Sequence, residues 1–200
     1  VTGVQTCALP IWKLYVFDTL RKEGMTNMPM DYTPGIFVQD LASVTEGRNN
    51  SWVNATIANQ LALYVTLYSP LQMAADLPEH YAKFMDAFQF IKDVDIDWIQ
   101  SKYLLAEPGE YVVIARQGKK NGQWFCGGVT DDQKRTVEVP LQFLDPEKTY
   151  EATIYRDADD AHYKENPQAY VIEKKTVTFH DFLPVTMAPG GGFAISFEEK

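Results

Sequence analysis

The chain has 200 residues, with 18 basic against 27 acidic side chains, a formal charge of −9 and a pI near 4.8. That balance argues against nucleic acid and against an anionic membrane surface, both of which need a net basic face. Hydrophobic content of 46% with 22% charged residues indicates a folded chain rather than a disordered one, long enough to bury a real core. Two cysteines, Cys7 and Cys126, and three scattered histidines, His80, His162 and His180, make no zinc pattern. No apolar run reaches the roughly 18 residues of a membrane span, and no basic n-region precedes a long apolar stretch as a signal peptide requires. The chain does not begin with Met and reads as a fragment.

In chain order, the first predicted helix covers residues 52–69. Ile57, Leu61, Tyr64 and Tyr68 form a stripe that Val53, Ala58 and Val65 widen, with Ser51 as N-cap and Pro70 as stop. So broad a stripe predicts burial on more than one side. A second helix is predicted over 78–92, with Tyr81, Phe84, Met85, Phe88 and Ile91 on its apolar face and Glu79 and Asp86 on wetter sides.

From about Tyr111 the period changes from 3.6 to 2. Strands are predicted over 111–116, 123–130, 136–143, 150–156, 169–173, 176–182 and 193–197, seven in all. The clearest is 136–143, where Val137, Val139, Leu141 and Phe143 alternate with Thr136, Glu138 and Gln142. Short strands joined by polar or Gly/Pro turns, with no helix among them, indicate an antiparallel sandwich. The boundary between the halves falls in 101–109.

Candidate chemistry is sparse. Asp157, Asp159, Asp160 and His162 offer hard ligands within six residues, but without the glycine and distant glutamate of an EF-hand they read as a solvated hairpin loop. Gly190, Gly191 and Gly192 after Pro189 lack the Lys-Ser/Thr of a phosphate loop and read as a flexible turn into the last strand. Asp93, Asp95 and Asp97 alternate with apolar residues as a solvated edge. Asn49 and Asn54 open sequons too short to mean anything. Asp31 differs: it ends an extended segment before Pro34-Gly35, where a barrel enzyme places substrate-facing groups, although turn stabilisation is the commoner role.

Several longer motifs carry a resemblance. They are Pro29-Met30-Asp31-Tyr32-Thr33-Pro34-Gly35-Ile36-Phe37, Gln60-Leu61-Ala62-Leu63-Tyr64-Val65 and Tyr68-Ser69-Pro70-Leu71-Gln72-Met73. Ala87-Phe88-Gln89-Phe90-Ile91-Lys92-Asp93, Glu107-Pro108-Gly109-Glu110-Tyr111-Val112 and Ala188-Pro189-Gly190-Gly191-Gly192-Phe193 follow in order. Over about residues 29–197 the chain resembles glycoside hydrolase family 97. The resemblance implies an α+β fragment: the last strand and helices of a (β/α)8 barrel, residues 29–100, followed by an antiparallel β-sandwich, residues 101–200.

It implies the C-terminal portion of an exo-acting α-glucosidase or α-galactosidase. The substrate would be an oligosaccharide or α-glycoside, and the location periplasmic. The family's calcium ion, its glutamate ligands and its catalytic carboxylates belong to segments upstream of Asp31, so no catalytic residue and no metal ligand is assigned to this chain. Glu23 does not match those segments. Asp31 and Tyr32 are the residues expected to line the sugar pocket. Whether the preference is for glucose or galactose is left open.

Residues 18–24 depart from the family where it carries a Leu-Pro-Phe-Thr-Arg-like stretch, residues 13–28 read as out of frame or diverged, and residues 1–11 resemble a translated sequencing-adapter peptide. Residues 1–28 are therefore read as a doubtful or artefactual leader, which leaves Cys126 as a lone buried thiol. Two further expectations follow. The chain alone should hydrolyse nothing, and the helix over 52–69 should expose an apolar face that upstream strands would have covered. The alternative reading is a non-catalytic carbohydrate-binding or structural sandwich module, which would not carry the barrel-end motifs.

Overall fold

The computed structural model describes residues 33–47, 51–69 and 71–200. Eight antiparallel strands dominate: β1 (Trp98–Glu107), β2 (Tyr111–Gly118), β3 (Trp124–Thr130), β4 (Arg135–Pro140), β5 (Thr149–Asp157), β6 (Tyr170–Thr178), β7 (Phe182–Met187) and β8 (Gly192–Glu199). Six form one sheet in the order β1-β2-β3-β8-β5-β6, and β4 pairs with β7 in a second sheet. Before them come α1 (Leu41–Val44), α2 (Ile57–Thr66), α3 (Pro78–Tyr81) and α4 (Met85–Asp93).

Each face of the large sheet carries a packed layer over part of its width, and period-2 alternation assigns each residue to a face. Trp124, Cys126, Ala152, Ile154, Ile195 and Phe197 meet Val137, Val139, Leu183 and Val185 of the small sheet. Their intervening neighbours Phe125, Tyr155 and Ala194 meet Ile57, Leu61, Tyr64 and Val65 of α2 and Ala87 and Phe90 of α4. The sandwich is thus a three-layer body. Two strands lie on one side of the six-stranded sheet and helices on the other.

The helix expected over 52–69 is shorter. Its N-cap is Thr56, whose side chain accepts the Asn59 N–H at 3.1 Å, and not Ser51. At the far end Arg116, 5% exposed, donates from Nε to the Val65 carbonyl at 2.6 Å, a cation on the negative end of the helix dipole. All ten residues of α2 are buried, as the broad stripe requires. The apolar face expected to stand open is therefore absent from α2, because the sheet face and the segment before it cover the helix.

The second expected helix is interrupted. Phe84 has φ −137 and ψ 43, so α3 ends and α4 restarts with a different phase. Ala87, Phe90 and Val94 then face inward while Met85, placed on the apolar face by an unbroken helix, is 50% exposed.

Among the described residues eight strands replace the expected seven. The segments 169–173 and 176–182 are one edge strand, β6, through Glu173, Lys174 and Lys175. β7 follows as a separate strand, and β1 occupies much of the stretch assigned to the boundary. The alternation of 136–143 holds: Val137, Val139, Leu141 and Phe143 are buried while Thr136, Glu138 and Gln142 are exposed. The strand itself stops at Pro140. Cys126 is a free, fully buried thiol, and burial raises its pKa well above the usual thiol value.

Candidate functional site

Asp31 and Tyr32, the expected sugar-facing pair, lie outside the described residues, as does the leader assigned to 1–28. The description starts at Thr33, and the segment that continues from that pair is held by a dense polar clamp. Gln60 of α2 receives the N–H groups of Gly35 and Ile36 on one oxygen, at 3.0 and 3.1 Å. Asp76 Oδ2 receives those of Phe37 and Val38 at 2.8 and 2.9 Å. Tyr64 donates its hydroxyl to the Pro34 carbonyl at 3.1 Å, and Tyr81 donates to that of Gly35 at 2.6 Å.

The clamp satisfies a backbone that no sheet pairs, which its burial demands. It has also made Gly35 obligatory. That residue has φ +94, and a Cβ there would stand 2.6 Å from the Tyr64 hydroxyl. Gln60 itself is 5% exposed on a wholly buried helix, an expensive placement unless both partners are made.

Electrostatics follow the geometry. Burial pushes the Asp76 carboxyl up, but hydrogen bonds from His80 Nδ1 and from the N–H groups of Leu77, Val38 and Phe37 outweigh it, and its pKa lies below the ordinary value. Burial, and then the nearby Asp76 charge, push the Tyr81 phenol up. This clamp can hold a segment in place, with the Asp76 carboxylate committed to backbone N–H groups and to His80.

A second buried carboxylate stands at the N-terminus of α2. Asp157 is 2% exposed, and its Oδ2 receives the N–H groups of Ala188 and Gly192, both at 2.8 Å. The Thr56 hydroxyl approaches the carboxylate but closes no well-formed hydrogen bond to Oδ1. Burial pushes the pKa up to about 6, against the opposing pull of Thr56, the two N–H groups and Arg156. Nearby, Asn59 of α2 donates to the Gly191 carbonyl at 2.9 Å and Thr56 N–H to that of Gly190 at 3.2 Å.

Two expectations are corrected here. Asp157 does not belong to a solvated hairpin loop: it turns into the core while the Asp159 side chain stays 96% exposed. Residues 190–192 are not a loose turn. They are buried, and a Cβ on Gly191 would fall 1.9 Å from Asp157 Oδ2. Among the described residues no group of three or more His, Cys, Asp or Glu could hold a metal ion. Asp95 and Asp97 do sit at a solvent edge, but not idly. Asp95 Oδ1 and Oδ2 receive the N–H groups of Ile96 and Lys120, and Asp97 pairs with Lys119 at 2.9 Å.

The composition gave no hint of the parts played by Gln60, Asp76 and Asp157. One signal was available: Gln60 stands inside an otherwise apolar helix face.

Comparison with known proteins now places the fold. Residues 97–198, from the start of β1 to β8, match the family model described as "Glycosyl-hydrolase 97 C-terminal, oligomerisation". The chain belongs to glycoside hydrolase family 97, as its C-terminal part. It is 34% identical over 175 residues to the retaining α-galactosidase of Bacteroides thetaiotaomicron, an alignment that covers 85% of this chain and 25% of that protein. It is 32% identical over 165 residues to a probable retaining α-galactosidase of Streptomyces bingchenggensis, covering 82% and 23%.

The structure superposes on a family 97 enzyme of Pseudoalteromonas sp. strain K8, solved in complex with acarbose. The TM-score is 0.81 and the identity 47%, with coverage of 86% of this chain and 27% of that one. A β-arabinopyranosidase shares the fold at 20% identity and a TM-score of 0.62. The chain spans about a quarter of the length of the curated relatives it matches.

Proposed function

We propose that this chain is the C-terminal portion of a calcium-dependent, exo-acting α-glycoside hydrolase, an α-galactosidase or α-glucosidase working on oligosaccharides in the periplasm. Its relatives' names and the acarbose and panose complexes of the Pseudoalteromonas enzyme support the substrate class. In this reading residues 29–100 close a (β/α)8 barrel. Asp31 and Tyr32 line its sugar pocket, and the calcium ligands and catalytic carboxylates are supplied by segments upstream of Asp31.

The observation that carries it is the clamp. Four consecutive N–H groups, from Gly35 to Val38, end on Gln60 and Asp76, and Gln60 stands on a helix seated on the sandwich. A carbohydrate-binding module has no use for such an anchorage. A barrel strand whose mouth carries substrate-facing groups does, because small misplacements of such groups are costly in rate. The role of the sandwich is thus to fix the strand that carries Asp31 and Tyr32.

The test is an assay of this chain on p-nitrophenyl α-glucoside and α-galactoside with and without calcium. No release above a heat-inactivated control is expected, since cleavage needs an acid on one side of the bond and a carboxylate or activated water on the other. In the full-length enzyme of the source locus, Asp31→Asn should raise KM. Calcium-dependent turnover by the chain alone, or an unchanged KM, would overturn the reading.

A second role is favoured by the description of the matched family, oligomerisation. Among the described residues of 97–198 the exposed large apolar side chains are Ile99, Tyr103 and Phe182, two of them on the edge strand β1. Sedimentation velocity should give a self-associating species that Ile99→Glu weakens. A monomer at all concentrations would exclude this role for the chain.

A further inference from the structure

The small sheet has two strands and the large one six, so β4 and β7 leave part of the large sheet's face uncovered. Where the cover ends, a cleft of about 740 Å³ opens between β1–β3, the segment after β4 and the end of β8. Its size is that of a small-molecule site, about 300–1,000 Å³.

The floor is the rims of Trp124 and Phe143, each 6% exposed, above the buried Phe197. Trp124 and Phe143 rings lie 4.9 Å apart, and Phe143 and Phe197 5.4 Å apart. Lys102 Nζ stands 5.9 Å from the Trp124 centroid, over the ring. One wall carries four carboxamides: Gln100, Gln117, Asn121 and Gln123. Gln100 Nε2 donates to Gln117 Oε1 at 2.8 Å, Gln117 Nε2 to the Gly122 carbonyl at 3.0 Å, and Asn121 Nδ2 to Gln123 Oε1 at 3.2 Å. These bonds orient the amides without exhausting them, because each amide has two N–H donors and an acceptor with two lone pairs. The opposite wall is the Lys148–Glu199 pair, 2.8 Å apart, beside Tyr150.

From this lining we infer that the cleft is a non-catalytic binding site for a neutral oligosaccharide. A pyranose ring presents adjacent hydroxyls, each a donor and an acceptor, and a C–H face with no charge. Carboxamides match the hydroxyls because each offers both functions at one planar end. The exposed rims of Trp124 and Phe143 offer that C–H face an apolar edge to rest on. An anionic ligand is disfavoured, since Lys148 is already paired and Asp145, Glu198 and Glu199 also line the cleft. The site lies outside the clamp and does not rest on the catalytic reading. Silence of the chain in a hydrolysis assay leaves it untouched.

The test is titration of the 15N-labelled chain with maltotriose, with raffinose and with sorbitol, following side-chain amide signals by NMR. Sorbitol has the hydroxyls but no ring face. The expected result is a saturable shift of the Gln100 and Gln123 signals with one or both sugars and none with sorbitol. Gln123→Ala should weaken binding about tenfold, the loss of roughly one hydrogen bond, with an unchanged melting temperature. Gln100→Ala provides a second variant at an exposed position. Unsaturating drift equal for sugars and sorbitol would overturn the inference. So would unchanged affinity in both variants, or amide signals that move with protein concentration in the absence of sugar, which would mark the cleft as a contact between copies.

Discussion

Gly127 of β3 and Ala62 of α2 meet backbone to backbone. A Cβ on Gly127 would stand 2.8 Å from the Ala62 carbonyl oxygen and 2.9 Å from Val65 Cβ. The glycine that interrupts the strand pattern is a place where the helix packs directly on the sheet, so it is a docking feature rather than a weakness in the strand.

Gly127→Ala should therefore lift α2 off the sheet at a cost of about 1–3 kcal/mol, the usual range for overpacking a filled interface. Urea melts of the two proteins measure it. A change within about 0.5 kcal/mol, the range of surface substitutions, would mean that helix and sheet are loosely packed at this point.

Leu141 and Thr136 test the alternation in the small sheet. Leu141 is fully buried, so Leu141→Ala should cost about 2–5 kcal/mol. Thr136 faces outward and shares a 2.8 Å hydroxyl contact with Thr186 on β7. Thr136→Ala should stay within about 0.5 kcal/mol. Equal losses at the two positions would defeat the assignment of faces.

What was legible in the sequence was what local periodicity encodes. Val137 to Phe143 announced their faces, and Ile57, Leu61 and Tyr64 announced a helix buried on several sides. β1 was not legible, because register shifts at Trp98/Gln100 and Tyr103/Leu105 break its alternation. β6 is expected from the sequence as two strands, with the break at Lys174 and Lys175. In the fold they belong to an edge strand, where exposed lysines are tolerated and discourage pairing with other chains, and Lys174 reaches Glu151 at 2.6 Å. The clamp and the Asp157 contacts were invisible for another reason. Gln60 lies 25 residues from Gly35, and Asp157 lies 35 from Gly192, and no local pattern records a contact at that separation.

The Asp76 clamp should show in the acid limb of stability. Asp76→Ala leaves the N–H groups of Phe37 and Val38 without their acceptor and should cost about 2–4 kcal/mol at pH 7. The folded-state pKa lies below its ordinary 3.8, so the carboxylate's contribution is complete above that value and fades as pH falls through the lower, folded one. The gap between wild type and variant should accordingly narrow below about pH 4. A gap constant from pH 6 to pH 3 would show that the carboxylate charge plays no part.

Asp157 should behave in the opposite sense. Its pKa rises from 3.8 to about 6 because burial penalises the ionised form more than Thr56, the two N–H groups and Arg156 favour it. For a carboxyl raised on folding, the contribution to stability is full below the unfolded value and is lost as pH rises through the folded one. At pH 7 the chain therefore carries an ionised Asp157 at a cost of about 2–3 kcal/mol relative to pH 4. In Asp157→Asn the carbonyl oxygen can still receive the Ala188 and Gly192 N–H groups, and the amide can donate to the Thr56 hydroxyl. The difference in unfolding free energy between Asp157→Asn and wild type removes the titration of Asp76, Asp95 and the other carboxylates common to both. That difference should climb by about 2–3 kcal/mol in favour of the variant from pH 4 to pH 7, with its midpoint near the folded pKa. A flat difference would mean that the carboxylate between α2 and the glycine segment is either as well solvated as a surface group or neutral throughout the range.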